Sequence, residues 1–354
     1  MGGYVRYLTD LPATNGYPVT VIFPRDEDMT VVRQGAFDHR EDRGAGGRED
    51  LPGVRWMFTT PSFSSASYTR YYDARLALNA LAPYAKGTIG LVGTYQLSHA
   101  HAAFFLEEMP DADFREASEL IDSIKAFKSP EEIAQIRLTA ALQDEAMQAT
   151  LAALRPGMRE RDVTAIAMYE TQKRGAEQGI YLAASAKAGT PMPLNQRHFQ
   201  NRTLNEGDQL ILLIETNGPG GQYAELGRAC VLGKAPEQLL AEQEVALAAR
   251  NFVCDLLKPG ADAAEIYAEY SDWLQSRGRP QERRLFAHGQ GYDMVERPLL
   301  RQDETMRLGT SMNLAVHPSY IHGGVRSWIC DNYLIDQNGE LERLHQMDEA
   351  ILEL

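Results

Sequence analysis

The sequence predicts an α+β protein in two parts, a smaller α/β domain over residues 1–122 and a larger domain over 123–354 made of two related halves. Three observations carry that expectation. The chain has 354 residues, more than a single hydrophobic core usually serves. A helix-start signal at Ser129 follows a break in the pattern near residue 122. A helix–turn–helix pattern that begins at Leu154 returns at Leu257.

In the first part, Pro18-Val-Thr-Val-Ile-Phe23 and Gly87-Thr-Ile-Gly-Leu-Val92 read as short buried strands. Residues 38–53, dense in charge and glycine, read as a solvated loop, and residues 68–82 and 97–108 as helices. At the boundary, Ser129 suits an N-cap, Pro130 the first helical position, and Glu132 the third. Together they form a capping box that starts a helix running to about Leu154. The repeat comes next. Leu154-Arg-Pro-Gly-Met-Arg-Glu-Arg-Asp-Val and Leu257-Lys-Pro-Gly-Ala-Asp-Ala-Ala-Glu-Ile each end a helix at Pro-Gly. Each then puts an acidic residue early in the next helix, where the dipole favours it. Strand-like runs follow: Ile180-Tyr-Leu-Ala-Ala and Gln209-Leu-Ile-Leu-Leu-Ile in one half, Met312-Asn-Leu-Ala-Val and Tyr333-Leu-Ile in the other. Two helix–helix–strand halves imply a pseudo-two-fold domain with a site between them.

Composition narrows the function. With 44% hydrophobic and 24% charged residues the chain is an ordinary globular one. Its net charge of −14 argues against a nucleic-acid or anionic-membrane surface. No apolar run approaches the roughly 20 residues that span a bilayer, and the first residues lack a charged-then-apolar signal pattern. Three cysteines, Cys230, Cys254 and Cys330, are odd in number and far apart, so no disulfide framework is implied. A cytoplasmic protein with a small-molecule substrate is the expectation.

Four segments set ionisable residues at strand ends beside glycine or proline: those around His198, those from Glu215 to Arg228, His288 to Glu296, and His317 to Asp331. Glu215 ends an apolar strand and Glu225 follows a Gly-Pro-Gly-Gly turn, so the two carboxylates can face one another across a hairpin. Such a pair can hold a metal, grip a cationic group, split into acid and base, or simply pair with Arg228. His288, before Gly-Gln-Gly, suits a ligand or proton carrier, and His317-Pro318 adds a second imidazole. His198 is a substrate contact or loop surface, and His322 a pocket or turn residue. Cys330 is a soft ligand or a small buried residue. Arg228 and Arg326 either clamp a carboxylate or pair with Glu215, Glu225 or Asp331.

At these segments the chain resembles the creatinase/aminopeptidase P superfamily over about residues 120–345. The matching residues are Lys128-Ser-Pro-Glu-Glu-Ile, Glu206-Gly-Asp, Gly220-Gly-Gln-Tyr223 with Arg228, His288-Gly-Gln-Gly with Glu296-Arg-Pro, and Arg326 with Asp331-Asn-Tyr-Leu-Ile. The resemblance implies a pita-bread C-terminal domain, a smaller N-terminal domain shortened at its start, and a homodimer with residues 38–50 available to the neighbour's site. It also implies a hydrolase of a C–N bond. Metal-dependent members carry two aspartates, a histidine and two glutamates; here those positions fall at Glu215, at or beside Glu225, at His288, at His317, and near Cys330-Asp331. A further family histidine falls at Val295, while the following Glu296 is kept. Losing both family glutamates removes the hard ligands that hold two cations together. Creatinase, which works without metal, is the precedent, but its catalytic histidine falls at Gln196, two residues from His198, which argues against creatine.

The leading expectation is therefore a metal-free C–N hydrolase of a small amide, amidine or peptide-like molecule. His288, His317, Glu225, Glu215 and Glu296 would be catalytic, and His198, Tyr223, Arg228, His322 and Arg326 would hold substrate. One alternative is an Xaa-Pro-type peptidase with a single Zn²⁺, Mn²⁺ or Fe²⁺ on Glu215, Glu225, His288 and His317. Another is a non-catalytic binding protein or a lyase.

Overall fold

A computed structural model describes residues 3–12, 18–35, 37–61, 74–192, 200–318 and 325–354. The chain divides into two compact units, Met1–Asp122 and Ser123–Leu354. In the first unit α1 (Gly3–Thr9) precedes β1 (Thr20–Ile22), β2 (Met29–Gly35), β3 (His39–Asp42), β4 (Gly47–Arg48), β5 (Leu51–Pro52) and β6 (Val54–Pro61). Then come α2 (Ala74–Leu81), β7 (Thr88–Leu91), α3 (His99–Glu108), β8 (Asp113–Glu116) and α4 (Ser118–Lys125), whose last three residues belong to the second unit. A mixed sheet of order β1-β2-β6-β3 carries a parallel β2–β6 pair. Its buried face packs Ile22, Val32 and Phe58 on Ala77, Leu81 and Phe105 of the helices.

The stretch 38–53, expected as a loop, is instead edge structure. β3 pairs antiparallel with β6, and β4 pairs with β5. Three of the four β3 residues are exposed, so the charges that suggested a loop belong to a solvent-facing edge strand, where they discourage pairing with another chain. Of the expected helix at 68–82, residues 68–73 lie outside the described residues.

The second unit opens as its capping box dictates. Ser129 Oγ accepts from the Glu132 amide and the Glu132 carboxylate accepts from the Ser129 amide, starting α5 (Pro130–Ala152). α6 (Glu160–Lys173), β9 (Gly179–Lys187), β10 (Asp208–Asn217) and β11 (Tyr223–Val231) complete one half. α7 (Glu237–Leu256), α8 (Ala263–Gln275), β12 (Ala287–Gly289), β13 (Glu296–Leu299), β14 (Asn313–Val316), β15 (Asp331–Ile335) and β16 (Leu341–Arg343) form the other, and β17 (Leu352–Glu353) closes the chain. The sheets run β17-β11-β10-β9 and β13-β12-β14-β15-β16. Each is covered by its own helix pair: Met147, Leu151 and Val163 lie on Leu210, Leu212 and Ile214 in the first. In the second, Val253, Ile266 and Tyr270 lie on Phe286, Leu314 and Ile335.

The repeat has a backbone signature. After the first Pro-Gly, Gly157 N–H donates to Leu204 C=O at 2.8 Å and Leu204 N–H to Met158 C=O at 2.7 Å. After the second, Gly260 N–H donates to Leu308 C=O at 2.8 Å and Leu308 N–H to Ala261 C=O at 2.9 Å. Both turns need glycine for its backbone: φ is 91° at Gly157 and 87° at Gly260, a region other residues avoid. The two halves meet where Gly227 and Cys330 exchange backbone hydrogen bonds, stitching β11 to the start of β15. Among the described residues no helix is long and apolar enough to cross a membrane.

Candidate active site

β10 is buried along its whole length, so its closing carboxylate, Glu215, has no route to bulk water along the strand. Glu215 and Glu225 are direct cross-strand partners in the β10–β11 ladder, a pairing that puts both side chains on one face, about 5 Å apart at Cβ. His288 lies on β12 opposite Ala315 of β14, and His317 follows β14 by one residue. The structure thus brings two carboxylates from the first half to two imidazoles from the second. All four residues are buried.

His288 Nδ1 lies 2.9 Å from the Gly289 carbonyl. A carbonyl only accepts, so Nδ1 carries the proton and Nε2 keeps its lone pair. That lone pair faces Glu225 Oε2 at 3.7 Å, and His317 Nε2 faces the same oxygen at 3.9 Å. The two rings meet edge-on with centroids 5.2 Å apart. Burial pushes His288 down to about 4. Burial, then His288, then Arg284 hold His317 well below its usual range. Burial raises Glu225, and burial together with Glu225 raises Glu215 well above the carboxylate range. Neither ring nitrogen of His317 has a hydrogen-bond partner. Glu225 Oε2, His288 Nε2 and His317 Nε2 thus face one another with no hydrogen bond between them.

The chemistry of that set is metal-ligating. Ligand atoms of Glu225, His288 and His317 lie within 4.8 Å of one another, the one such cluster found among the described residues. Separations of 3.7 and 3.9 Å are slightly wider than the roughly 3.3–3.6 Å between tetrahedral ligands at about 2.0–2.2 Å from one ion, a gap that small side-chain movements close. Neutral imidazoles and a carboxylate suit Zn²⁺, Mn²⁺ or Fe²⁺, and one of the two orphaned His317 nitrogens is what such an ion would satisfy. Glu215 stands outside the three, held by Gln290 Nε2 at 3.0 Å from Oε1.

An amide chain braces the carboxylates from behind. Asn332 Oδ1 accepts from the Glu225 amide at 2.6 Å, and Asn332 Nδ2 donates to Gln290 Oε1 at 2.9 Å and Asn313 Oδ1 at 3.0 Å. The Asn332 amide reaches His345 Nδ1, whose Nε2 bonds Gln143 Oε1 at 3.0 Å. Sequence reasoning assigned none of Gln290, Asn313, Asn332 or His345 a role. Gln290 and Asn332 lay inside the motifs themselves, His-Gly-Gln-Gly and Asp-Asn-Tyr-Leu-Ile, and that was the available signal.

Three expected site residues are placed differently. Glu296 is not positioned for catalysis: both its oxygens are taken, Oε1 by Lys125 at 2.9 Å and Oε2 by Lys128 at 2.8 Å. Burial works against its charge, but Lys128 and Lys125 together hold it down to about 2. Arg228 is not a substrate clamp. It is fully buried, with Nη2 on Asp331 at 2.7 Å and on the Met347 carbonyl at 3.1 Å, Nε on the Asp348 carbonyl, and Nη1 on the Gly227 and Cys330 carbonyls. Asp331, where the resemblance puts the last ligand, turns to Arg228 and Arg343 instead. Its neighbour Cys330 points the other way, its thiol 3.6 Å from the Glu225 carbonyl. That thiol belongs to the wall of the site, and burial and the nearby Glu225 carboxylate keep it protonated. Tyr223 is buried and shares the Glu225 face of β11, as alternate strand residues do. Arg326 is buried, its guanidinium 5.1 Å over the Trp328 ring, which in turn meets His317. His198 and His322 lie outside the described residues.

This architecture, two half-domains meeting over buried carboxylates and imidazoles, is the pita-bread fold of C–N hydrolases. Residues 134–337 match the model of metallopeptidase family M24, and the chain belongs to that family. It is 27% identical over 270 residues to an Xaa-Pro dipeptidase of Pyrococcus furiosus, covering 75% of each chain. It is 25% identical over 260 residues to the uncharacterised peptidase YqhT of Bacillus subtilis, covering 72% of each. Among solved structures, the prolidase from Pyrococcus furiosus superposes with a TM-score of 0.76 at 21% identity, over 98% of this chain and 94% of that one. A variant of Escherichia coli aminopeptidase P gives 0.72 at 18%, over 99% and 86%. The chain is accordingly a peptidase-type hydrolase acting on C–N bonds. The expectation of a metal-free enzyme finds no support in these likenesses, and the metal-dependent alternative fits them better.

Proposed function

We propose that this chain is a metal-dependent hydrolase of the Xaa-Pro dipeptidase type, working on small peptide-like substrates with one divalent ion. The observation that supports the reading is the convergence of Glu225, His288 and His317, all buried, with no hydrogen bond joining their facing atoms. Those three residues would hold the ion. When bound, it would supply Lewis-acid polarisation of the scissile carbonyl.

The chain's own residues do the rest. Gly289 fixes the His288 tautomer through Nδ1, and Asn332 fixes the β11 backbone at Glu225. Glu215, held at one oxygen by Gln290, is the group placed to take a proton from the attacking water. It returns that proton to the leaving nitrogen as the C–N bond breaks, so the carboxyl product gains the water's oxygen and the amine its hydrogen. Tyr223 lines the substrate side of the same strand face. Burial of every member excludes bulk water and strengthens each of these interactions. The net charge of −14 supports a small-molecule substrate rather than a nucleic acid or an anionic membrane.

The test is elemental analysis of freshly purified protein together with assays on Xaa-Pro dipeptides before and after chelation. The reading expects one equivalent of Zn, Mn or Fe, loss of turnover on chelation and recovery on adding metal. Full turnover by metal-depleted protein would restore the metal-free reading.

A further inference from the structure

We propose that His345 is a positioning residue: from behind the site, through Gln143, it fixes the end of the β10–β11 ladder that carries Glu215 and Glu225. This role deepens the hydrolytic reading above and rests on it for the reaction it serves. Among the described residues of the second unit, His345 is the one histidine outside the metal-ligand cluster, and it is completely buried. Its neighbours place its proton. The β15–β16 ladder ends at the Tyr333–Arg343 pair, and one residue on, the Asn332 N–H turns to His345 Nδ1 at 3.2 Å. A backbone amide only donates, so Nδ1 accepts and Nε2 carries the hydrogen. Nε2 then donates to Gln143 Oε1 at 3.0 Å. The far end of the chain imposes the same direction. Gln143 Nε2 lies 3.2 Å from the Thr216 carbonyl and 2.6 Å from the Ala224 carbonyl, and carbonyls only accept. Asp331 Oδ1, 3.7 Å from Nδ1, does not compete, being held by Arg228 and Arg343. Burial, then Arg228 and Arg343, keep the ring well below the usual histidine range, so it stays in the neutral form that accepts and donates at once.

The destination of the chain gives it its role. Thr216 and Ala224 are cross-strand partners, one rung from the Glu215–Glu225 pair. Gln143, on α5, therefore bridges both strands beside the two carboxylates. A second branch leaves the side chain of Asn332: it accepts from the Glu225 amide and donates to Gln290, which holds Glu215. Two hydrogen-bond routes thus run from Asn332 to adjacent rungs of one hairpin, and backbone groups set the direction of both. Without the imidazole, the Asn332 amide and Gln143 Oε1 would be left unpaired in the interior. Gln143 would then be released from the two carbonyls, and the rung beside Glu215 with it. Misplacing reacting groups by about 1 Å can cost about 100-fold in rate.

The experiment compares the full-length native protein with His345→Gln, His345→Phe and Gln143→Met on an Xaa-Pro dipeptide at saturating metal, per folded molecule. Glutamine can accept and donate from one side chain, as the imidazole does; phenylalanine fills the space and does neither. His345→Phe should lower kcat about 10-fold or more and leave KM within about 3-fold of native, because alignment is lost and substrate contacts are not. His345→Gln should regain most of that loss. Gln143→Met should match His345→Phe, and the double variant should lose little more than either alone, since both break one route. In metal-free protein, hydrogen exchange across residues 215–225 should quicken in His345→Phe and Gln143→Met and stay native in His345→Gln. Native kcat in folded His345→Phe, an equal loss in His345→Gln, additive losses in the double variant, or unchanged exchange in both disrupting variants would each overturn the proposal. Should His345→Phe not fold, Gln143→Met carries the same readings. Failure of the hydrolytic reading would appear instead as no turnover by the native protein, and the exchange comparison would still report on the route.

Discussion

Replacing Glu296 by Gln separates a structural ion pair from a catalytic carboxylate. Glu296, Lys125 and Lys128 are all buried, with Asp293 3.5 Å from Lys125. Gln keeps the shape and removes the charge. Lys125 would retain Asp293, but Lys128 would be left with only the Lys125 carbonyl at 2.7 Å. Removing one partner of a buried pair typically costs about 3–5 kcal/mol. A second route agrees: a carboxyl held at about 2 instead of its ordinary value represents on the order of 3 kcal/mol. For a chain of 354 residues, at about 2.1 cal/mol/K of unfolding entropy per residue, that is a fall of roughly 4–7 °C in melting temperature. The pH dependence follows with its sign. The folded-state value is depressed, so the contribution is complete above the ordinary carboxylate value and drains away as pH falls from about 4.5 towards about 2. Denaturant unfolding at several pH values, with turnover measured per folded molecule, checks both. Native stability with lost turnover would refute the reasoning and return Glu296 to the catalytic set.

Other outcomes follow from the same geometry. His317→Ala should lose its metal by elemental analysis and, compared metal-free with metal-free, should cost only the packing of its ring, since neither ring nitrogen has a hydrogen bond to lose; a metal-replete variant would contradict the ligand assignment. Gly289→Ala should weaken metal binding as well as folding, because a Cβ there would meet the Arg297 carbonyl at 2.5 Å and displace the backbone that fixes His288. Arg228→Met should destabilise by about 3–5 kcal/mol and Asp331→Asn should recover part of that loss, a cycle read by denaturant unfolding. Ser129→Ala should cost about 1 kcal/mol through the cap of α5 and leave turnover per folded molecule unchanged.

Much of the fold was legible because its signals are local. Ser129, Pro130 and Glu132 specify a helix start within four residues, and the two Pro-Gly turns show the duplication directly. The edge strand at 39–42 was not legible, since charge density cannot tell an exposed strand from a loop. At the site, Glu215 and Glu225 could be paired from a turn and a register, which is again local. His288 and His317 joined them through the family motifs. The role of Glu296 was misread, and for Arg228 the clamp could not be told from the Asp331 pair that was its alternative, because the partners Lys125, Lys128 and Asp331 lie about 100 or more positions away in sequence. Gln290, Asn313 and Asn332 were given no role in the sequence reading for a related reason: an amide reveals its role only when its neighbours are known.

The hollow draws its carboxylate, Glu225, from one half of a duplicated domain and both imidazoles from the other. Neither half owns a complete set, so an ion seated there acts as a rivet across the duplication. Its affinity would be spent partly on keeping the halves docked, and stripping it should make them come apart at different temperatures where the loaded protein melts as one. Descent from two copies of a simple module would then leave a catalyst whose centre and whose cohesion are the same object.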